Sequence, residues 1–156
     1  MTASALLIGG PPASGKSTVA NRLARRHGFR LYGSDTRTWA HRDRAMKLGN
    51  AAARRWEALS RAERWDDTRP TVELLAMSLH HARGAMIVDD LMGLADGPLV
   101  VAEGTAITPS ALAASPLVDA PAVWLLPTAA FQDEQLAGRD ASGGVRRLYR
   151  ALREVI

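Results

Sequence analysis

ALLIGGPPASGKST, running from Ala5 to Thr18, is the stretch on which the fold turns. Gly10, Gly15, Lys16 and Ser17 fill every fixed place of the phosphate-binding pattern G-x-x-x-x-G-K-[ST]. Before it, Ala5 to Ile8 is a short apolar run of the kind that forms a buried parallel strand. After it, Val19 and Leu23, like Ala20 and Ala24, stand one helical step apart, and Gly28 lies where a helix would stop. Strand, glycine-rich loop and helix form the order that anion capture needs. Backbone N–H groups curl around an oxyanion while the helix N-terminus adds partial positive charge.

Pro11 and Pro12 have no N–H to offer, so the cradle is expected from Ala13, Ser14, Gly15, Lys16, Ser17 and Thr18, with Gly10 opening the loop. The prolines would stiffen its near rim. Gly15 is expected to let the backbone approach a phosphate where a β-carbon would collide. The Lys16 side chain can reach β- and γ-phosphates, and the Ser17 hydroxyl can ligate Mg²⁺. A triphosphate tail with Mg²⁺ is therefore the expected ligand.

A chain of 156 residues is most simply one domain with a real core. Hydrophobic residues at 47% and charged ones at 23% give no reason to expect disorder. With no cysteine, disulfides and thiolate metal sites are excluded, which fits a reducing cytoplasm. The first apolar run is too short for a membrane span and follows no cationic segment, so a cytoplasmic protein with no membrane partner is expected. Lys plus Arg outnumber Asp plus Glu by 20 to 16, but the arginines are spread among acids rather than massed. That pattern suits phosphate handling in a cleft and makes nucleic acid an unlikely partner.

Phe29 to Asp35 reads as a second strand ending in a small polar cluster. Thr36 to about Leu59 turns helical and basic, with Arg37, Arg42, Arg44, Arg54 and Arg55 around Trp39, Met46 and Trp56 and a break at Gly49-Asn50. Ser60 and Glu63 make a capping-box pair, and Pro70 marks another helix start. Met86 to Asp90 imitates an apolar strand ending in acid. Leu75, Leu79, Ala82, Met86, then Ile87, Leu91 and Leu94, recur at helical spacing, so helix is expected, with Asp89 and Asp90 solvated or capping. Further strands are read at Leu99 to Ala102, closing on Glu103-Gly104, and at Ala122 to Leu126. Helices are read at Pro109 to Ala114 and Ala129 to Leu136, and the chain ends on an amphipathic stripe. Strands alternating with helices, without hairpin signals, predict a parallel sheet covered on both faces, with a ligand beyond its carboxyl ends.

That rule gathers Gly10 to Ser17, Ser34-Asp35, Glu103-Gly104 and Pro127-Thr128 on one rim. Asp35 is the expected general base, taking or orienting the proton of an acceptor hydroxyl, unless Ser34 or Asp35 merely caps the next helix. Glu103 is expected to act on Mg²⁺ through water or toward the substrate, with Gly104 leaving room for the ligand, unless Glu103 is merely a turn residue at a strand end. Arg139, with Arg146 and Arg147, would close as a lid over the moving phosphoryl group, or is ordinary helix surface. Arg37, Arg42 and Arg44 are either a grip on an acidic substrate or a solvated face. His80 and His81 diverge on a helix, which argues against a metal site there. The tryptophans read as core anchors, except that Trp39 and Trp56 also suit a substrate pocket.

Over Leu6 to Asp35, and more loosely through Glu103-Gly104 and Trp124 to Thr128, the chain resembles small P-loop kinases of the adenylate, shikimate and gluconate kinase type, including chloramphenicol phosphotransferase-like proteins. The resemblance implies a three-layer α/β P-loop NTPase fold with a parallel sheet of about four strands, the family's fifth being unmatched here. It implies one domain: a core at 1–35 and 97–128, a helical substrate-binding insertion at about 36–96, and a lid with C-terminal helix at about 129–156. Residues matching Lys16 and Ser17 would handle ATP·Mg²⁺, one matching Asp35 the acceptor, and one comparable to Arg139 the transferring phosphate. The expected activity is phosphoryl transfer to a hydroxyl or phosphate acceptor. A nucleoside or nucleotide kinase, or a nucleotide-binding regulatory protein, is the alternative. An open sheet edge would invite a second copy or a partner chain.

Overall fold

The computed structural model of the chain describes residues 4–64, 66, 70–138, 149 and 152, and of 70–77 the backbone alone. Its centre is a parallel sheet of β1 (Ala5–Gly9), β2 (Arg30–Gly33), β3 (Val100–Glu103) and β4 (Ala122–Trp124), in the spatial order β2-β3-β1-β4. Alternate residues of β1 and β3 enter opposite layers, which is why both strands read as unbroken apolar runs. Leu7, Val100 and Ala102 pack with Ile87, Val88 and Leu91 of α5 (Pro70–Met92). Ile8 and Val101 pack on the other face against Ala20 of α1 (Lys16–His27). Helix, sheet, helix is the three-layer α/β architecture expected.

Alanines at 20 and 24 form the buried stripe of α1, while Val19 is 37% exposed, so the small-residue face rather than Val19 meets the sheet. Gly28 ends the helix with φ +68, a conformation glycine adopts at little cost. After β2 a single 3₁₀ turn, Ser34–Arg37, leads into α2 (Thr38–Lys47). Gly49 then breaks the basic stretch, and Asn50 caps α3 (Ala51–Ala58) by accepting from the Ala53 N–H at 3.0 Å. Ser60 and Glu63 bond reciprocally, at 2.9 and 3.2 Å, over α4 (Arg61–Arg64).

The stretch Met86 to Asp90 is helical, as its periodicity predicts, and lies inside α5. Asp90, part-exposed, does more than meet solvent. It accepts from Tyr32 Oη at 2.7 Å and pairs with His41 Nε2 at 3.0 Å, tying α5 to β2 and α2. Asp89 pairs with Arg44 on the surface. Helix α6 (Pro109–Ala113) starts at a Thr108 cap and packs on α5 where Gly84 leaves room; a β-carbon there would stand 2.7 Å from that of Ala111. Helix α7 (Ala129–Ala137) starts at a Thr128 cap. Strands β2 and β4 are the outer strands among the described residues, and β4 ends at Trp124, two residues before its apolar run does. No described helix is long and apolar enough to cross a membrane.

Candidate active site

Ile8 of β1 and Gly33 of β2 both stand opposite Glu103 of β3, so three strands end level with one another. The loop from Gly10 to Gly15 rises from this rim. Gly10 has φ +138, and a β-carbon on it would stand within 2.4 Å of Leu125 O; Ala13 and Gly15 also adopt positive φ, at 63° and 87°. A β-carbon on Gly15 would touch no protein atom, so that glycine is needed for its backbone angle and leaves open space above the loop.

The two prolines do more than stiffen the rim. Lys16, 7% exposed, donates to Pro11 O at 2.8 Å, and Gln132 of α7, fully buried, donates to Pro12 O at 2.9 Å. Their carbonyls are thus turned into the protein, which leaves the following amides for a ligand. Ser14 Oγ is buried without a partner among the described residues, an atom that an anion's environment would suit. The first turn of α1 carries no acid and its last turn carries Arg25, Arg26 and His27, so the helix favours negative charge at its N-terminus.

Glu103 is only 6% exposed and accepts a hydrogen bond from the Ser17 side chain. Burial first, then the charge of Asp35, push its carboxyl above the usual range, while Lys16 and Ser17 partly offset them. A carboxylate and a hydroxyl joined in this way fit the donor set of Mg²⁺, which takes one or two protein oxygens and completes its shell with phosphate and water. Ser17 and Glu103 are the residues that would hold it. Gly104 has another purpose than the expected one. A β-carbon there would be 2.7 Å from that of Ser34, so Gly104 makes room for Ser34 rather than for a ligand.

Asp35 is exposed in the 3₁₀ turn, and neither it nor Ser34 caps a helix. Thr36 and Thr38 do the local work, donating to Gly33 O and Asp35 O at 2.7 and 2.8 Å. The Asp35 carboxylate makes no hydrogen bond or ion pair among the described residues, yet its charge reaches Glu103, His80 and Arg83. Arg37 goes elsewhere: its guanidinium lies 5.9 Å from the Tyr32 ring and lines a 360 Å³ cavity with Arg44 and Asp90. Arg139, Arg146 and Arg147 lie outside the described residues.

Two side chains of α5 join this rim although their sequence context marks neither as part of it. Arg83 donates to Ser34 O at 2.8 Å and points Nε at His41 Nδ1, 3.5 Å away. Burial lowers its affinity for a proton, against the opposing charge of Asp35. His80 has Nε2 buried without a partner. Burial brings it down to about 4 despite a hydrogen bond to the Thr105 backbone, so the ring is neutral near pH 7. His81, by contrast, is exposed. His80, Arg83 and Asp90 fall on one face of α5, at steps of three and seven, but that spacing does not say which element the face meets. Gln132 left no such trace.

Beside this cluster, α2, α3, α4 and α5 enclose a cavity of about 720 Å³, to which Arg83, Trp39 and Trp56 all contribute. Trp39 is 67% exposed and so lines the cavity rather than anchoring the core; Trp124 is the anchor, donating to Ile107 O at 2.9 Å.

This arrangement, a glycine-rich loop at the ends of a parallel sheet with a helical wall opposite, is a three-layer α/β fold with solved counterparts. Among solved structures the chain is similar to a gluconokinase from Sinorhizobium meliloti 1021, with TM-score 0.53 and 19% identity over 99% of this chain and 75% of that one. It is similar also to an unliganded sugar kinase from Janibacter sp. HTCC2649, with TM-score 0.52 and 14% identity over 99% and 79%. At these identities the likeness is one of fold. No protein-family profile matches the chain, and no curated protein matches it by sequence.

Proposed function

We propose that this chain is a small-molecule kinase that moves the γ-phosphoryl group of ATP to a hydroxyl or phosphate of an acceptor. One observation carries the reading: Lys16, the Ser17–Glu103 pair and an unpaired Asp35 carboxylate share a single rim beside an amide-lined loop. The two kinases of similar fold, a gluconokinase and a sugar kinase, support the same class.

The amides of Ala13 to Thr18 and the Lys16 ammonium hold the triphosphate. Ser17 and Glu103 would hold magnesium, which would neutralise phosphate charge when bound. Asp35 accepts the proton of the acceptor hydroxyl as its oxygen bonds to the γ-phosphorus. The bond from that phosphorus to the bridging oxygen breaks, ADP leaves, and the proton passes from Asp35 to solvent. Arg83, held by Ser34 O and His41, positions the turn that carries Asp35. A cytoplasmic setting, where ATP is supplied, suits this chemistry.

Nucleotide binding and acceptor-dependent ADP release test the reading. Asp35→Asn should keep nucleotide binding and lose acceptor-dependent turnover by about 10²-fold or more. Lys16→Ala should weaken nucleotide binding or turnover by about tenfold or more with the fold intact. Wild-type protein that ignores ATP and GTP with magnesium present would overturn the proposal.

A further inference from the structure

The 720 Å³ cavity lies within the ~300–1,000 Å³ range of sites that take drug-sized ligands. Its chemistry is unusual in two respects. Most of the wall is apolar: Ala45, Ala53, Leu79, Ala82 and Met86, with the indoles of Trp39 and Trp56. Its polar part consists largely of donors. Arg42, Arg61, Arg64 and Arg83 line it against one acid, Glu57.

Acceptors are few beside four guanidinium groups. Glu57 stands 3.8 Å from Arg42 Nη1 and 3.6 Å from Arg64 Nη2. His41 turns one nitrogen to Asp90 and the other to Arg83, and the Thr38 hydroxyl donates to Asp35 O. A ligand with many hydroxyl groups needs acceptors as well as donors, and this wall offers chiefly Glu57 and Thr38. An anion needs donors only. The rings are part of the same device: Arg42 lies 4.7 Å over Trp39 and Arg64 lies 5.8 Å over Trp56, which places guanidinium charge beside aromatic surface. Trp39 remains 67% exposed, a large apolar surface left uncovered at the cavity mouth.

We infer that the acceptor held here is an aromatic acid: a flat apolar body against Trp39 and Trp56, a carboxylate among the arginines, and a hydroxyl directed past Arg83 to Asp35. The last part rests on the kinase reading; the first two rest on the cavity alone. Arg83 lines the cavity and donates to Ser34 O of the turn that carries Asp35, so it joins the two regions.

Calorimetric titration of the full chain with 6-(hydroxymethyl)-2-naphthoate, its uncharged carboxamide and D-gluconate tests the inference. The naphthoate should bind at least about tenfold more tightly than either comparator. Trp39→Ala, a change at an exposed position, should weaken it by about fivefold. Equal binding of the carboxamide, equal or tighter binding of gluconate, no binding of the naphthoate, or an unchanged Trp39→Ala variant would each overturn the inference. A fluorescent ATP analogue titrated in parallel separates the two readings. If the naphthoate binds and nucleotide does not, the kinase reading fails and the aromatic-acid site stands; the reverse result removes the site and leaves the kinase.

Discussion

At the scale of single residues, His80 shows how burial becomes a pH dependence. Its folded value of about 4 lies below 6.5, so between those values the unfolded chain holds the extra proton. Its contribution is complete above pH 6.5 and is lost as pH falls through the window, by up to ~3 kcal/mol. Glu103 is displaced upward, so it acts in the opposite sense, favouring the folded state as pH falls toward its unfolded value. Comparing wild type with His80→Gln cancels the Glu103 part. Urea unfolding at pH 7 and pH 4.5 should show the wild type losing about 2–3 kcal/mol more than the variant. Equal losses would mean that the ring is not held neutral. Lys16, Ser17 and Gly15 stood out in the sequence because the phosphate-binding pattern fixes residue types at set spacing. His80 was legible only as a histidine without a metal-binding neighbour, since its environment comes from Thr105, Arg83 and Asp35, distant in sequence.

At the scale of elements, α5 is the member that joins the sheet to the helical wall. Tyr32 and His41 both bond to Asp90, and the buried ring of His41, 2% exposed, in turn faces Arg83. Burial works against an ionised Asp90, but its hydrogen bonds from Tyr32 and His41 outweigh that and hold the carboxyl below the usual carboxylate range. Asp90→Ala strands the Tyr32 hydroxyl and His41 Nε2, and should cost about 2–4 kcal/mol in denaturant unfolding. Because His41 also faces Arg83, the same variant should reduce acceptor-dependent turnover more than nucleotide affinity. An unchanged unfolding midpoint would remove Asp90 from this role. The helical period of Met86 to Leu94 was readable, since it is local. The partners of Asp89 and Asp90 were not, because an acid on a helix looks the same in sequence whether it meets water or a histidine 49 positions away.

At the scale of the whole molecule, the loop is braced from two sides. Lys16 holds Pro11, and Gln132 of α7, beyond the last strand, holds Pro12. A ligand in the cradle therefore stabilises the sheet, α1 and α7 together. Saturation with Mg²⁺·ATP at about 100 times its dissociation constant should add ~2.7 kcal/mol to the unfolding free energy. The gain should disappear in Lys16→Ala and be read as a loss of the ligand-dependent rise in Tm. A rise of equal size in the variant would mean that nucleotide binds elsewhere.

From the residues alone came the strand, loop and helix of Ala5 to His27, the parallel sheet, and the gathering of Asp35 and Glu103 at its carboxyl rim. Backbone geometry at glycine and proline, hydrophobic period and strand-end position are local or topological properties, and a linear chain carries them openly. Tertiary structure alone decided that Gly104 serves Ser34, that Arg37 leaves the rim for Tyr32, and that Arg83 and His80 enter it. Those outcomes depend on which surfaces the packing of α5 against β2 and α2 brings within a few ångströms. Side-chain direction on a helix acquires a chemical meaning only when the facing element is in place.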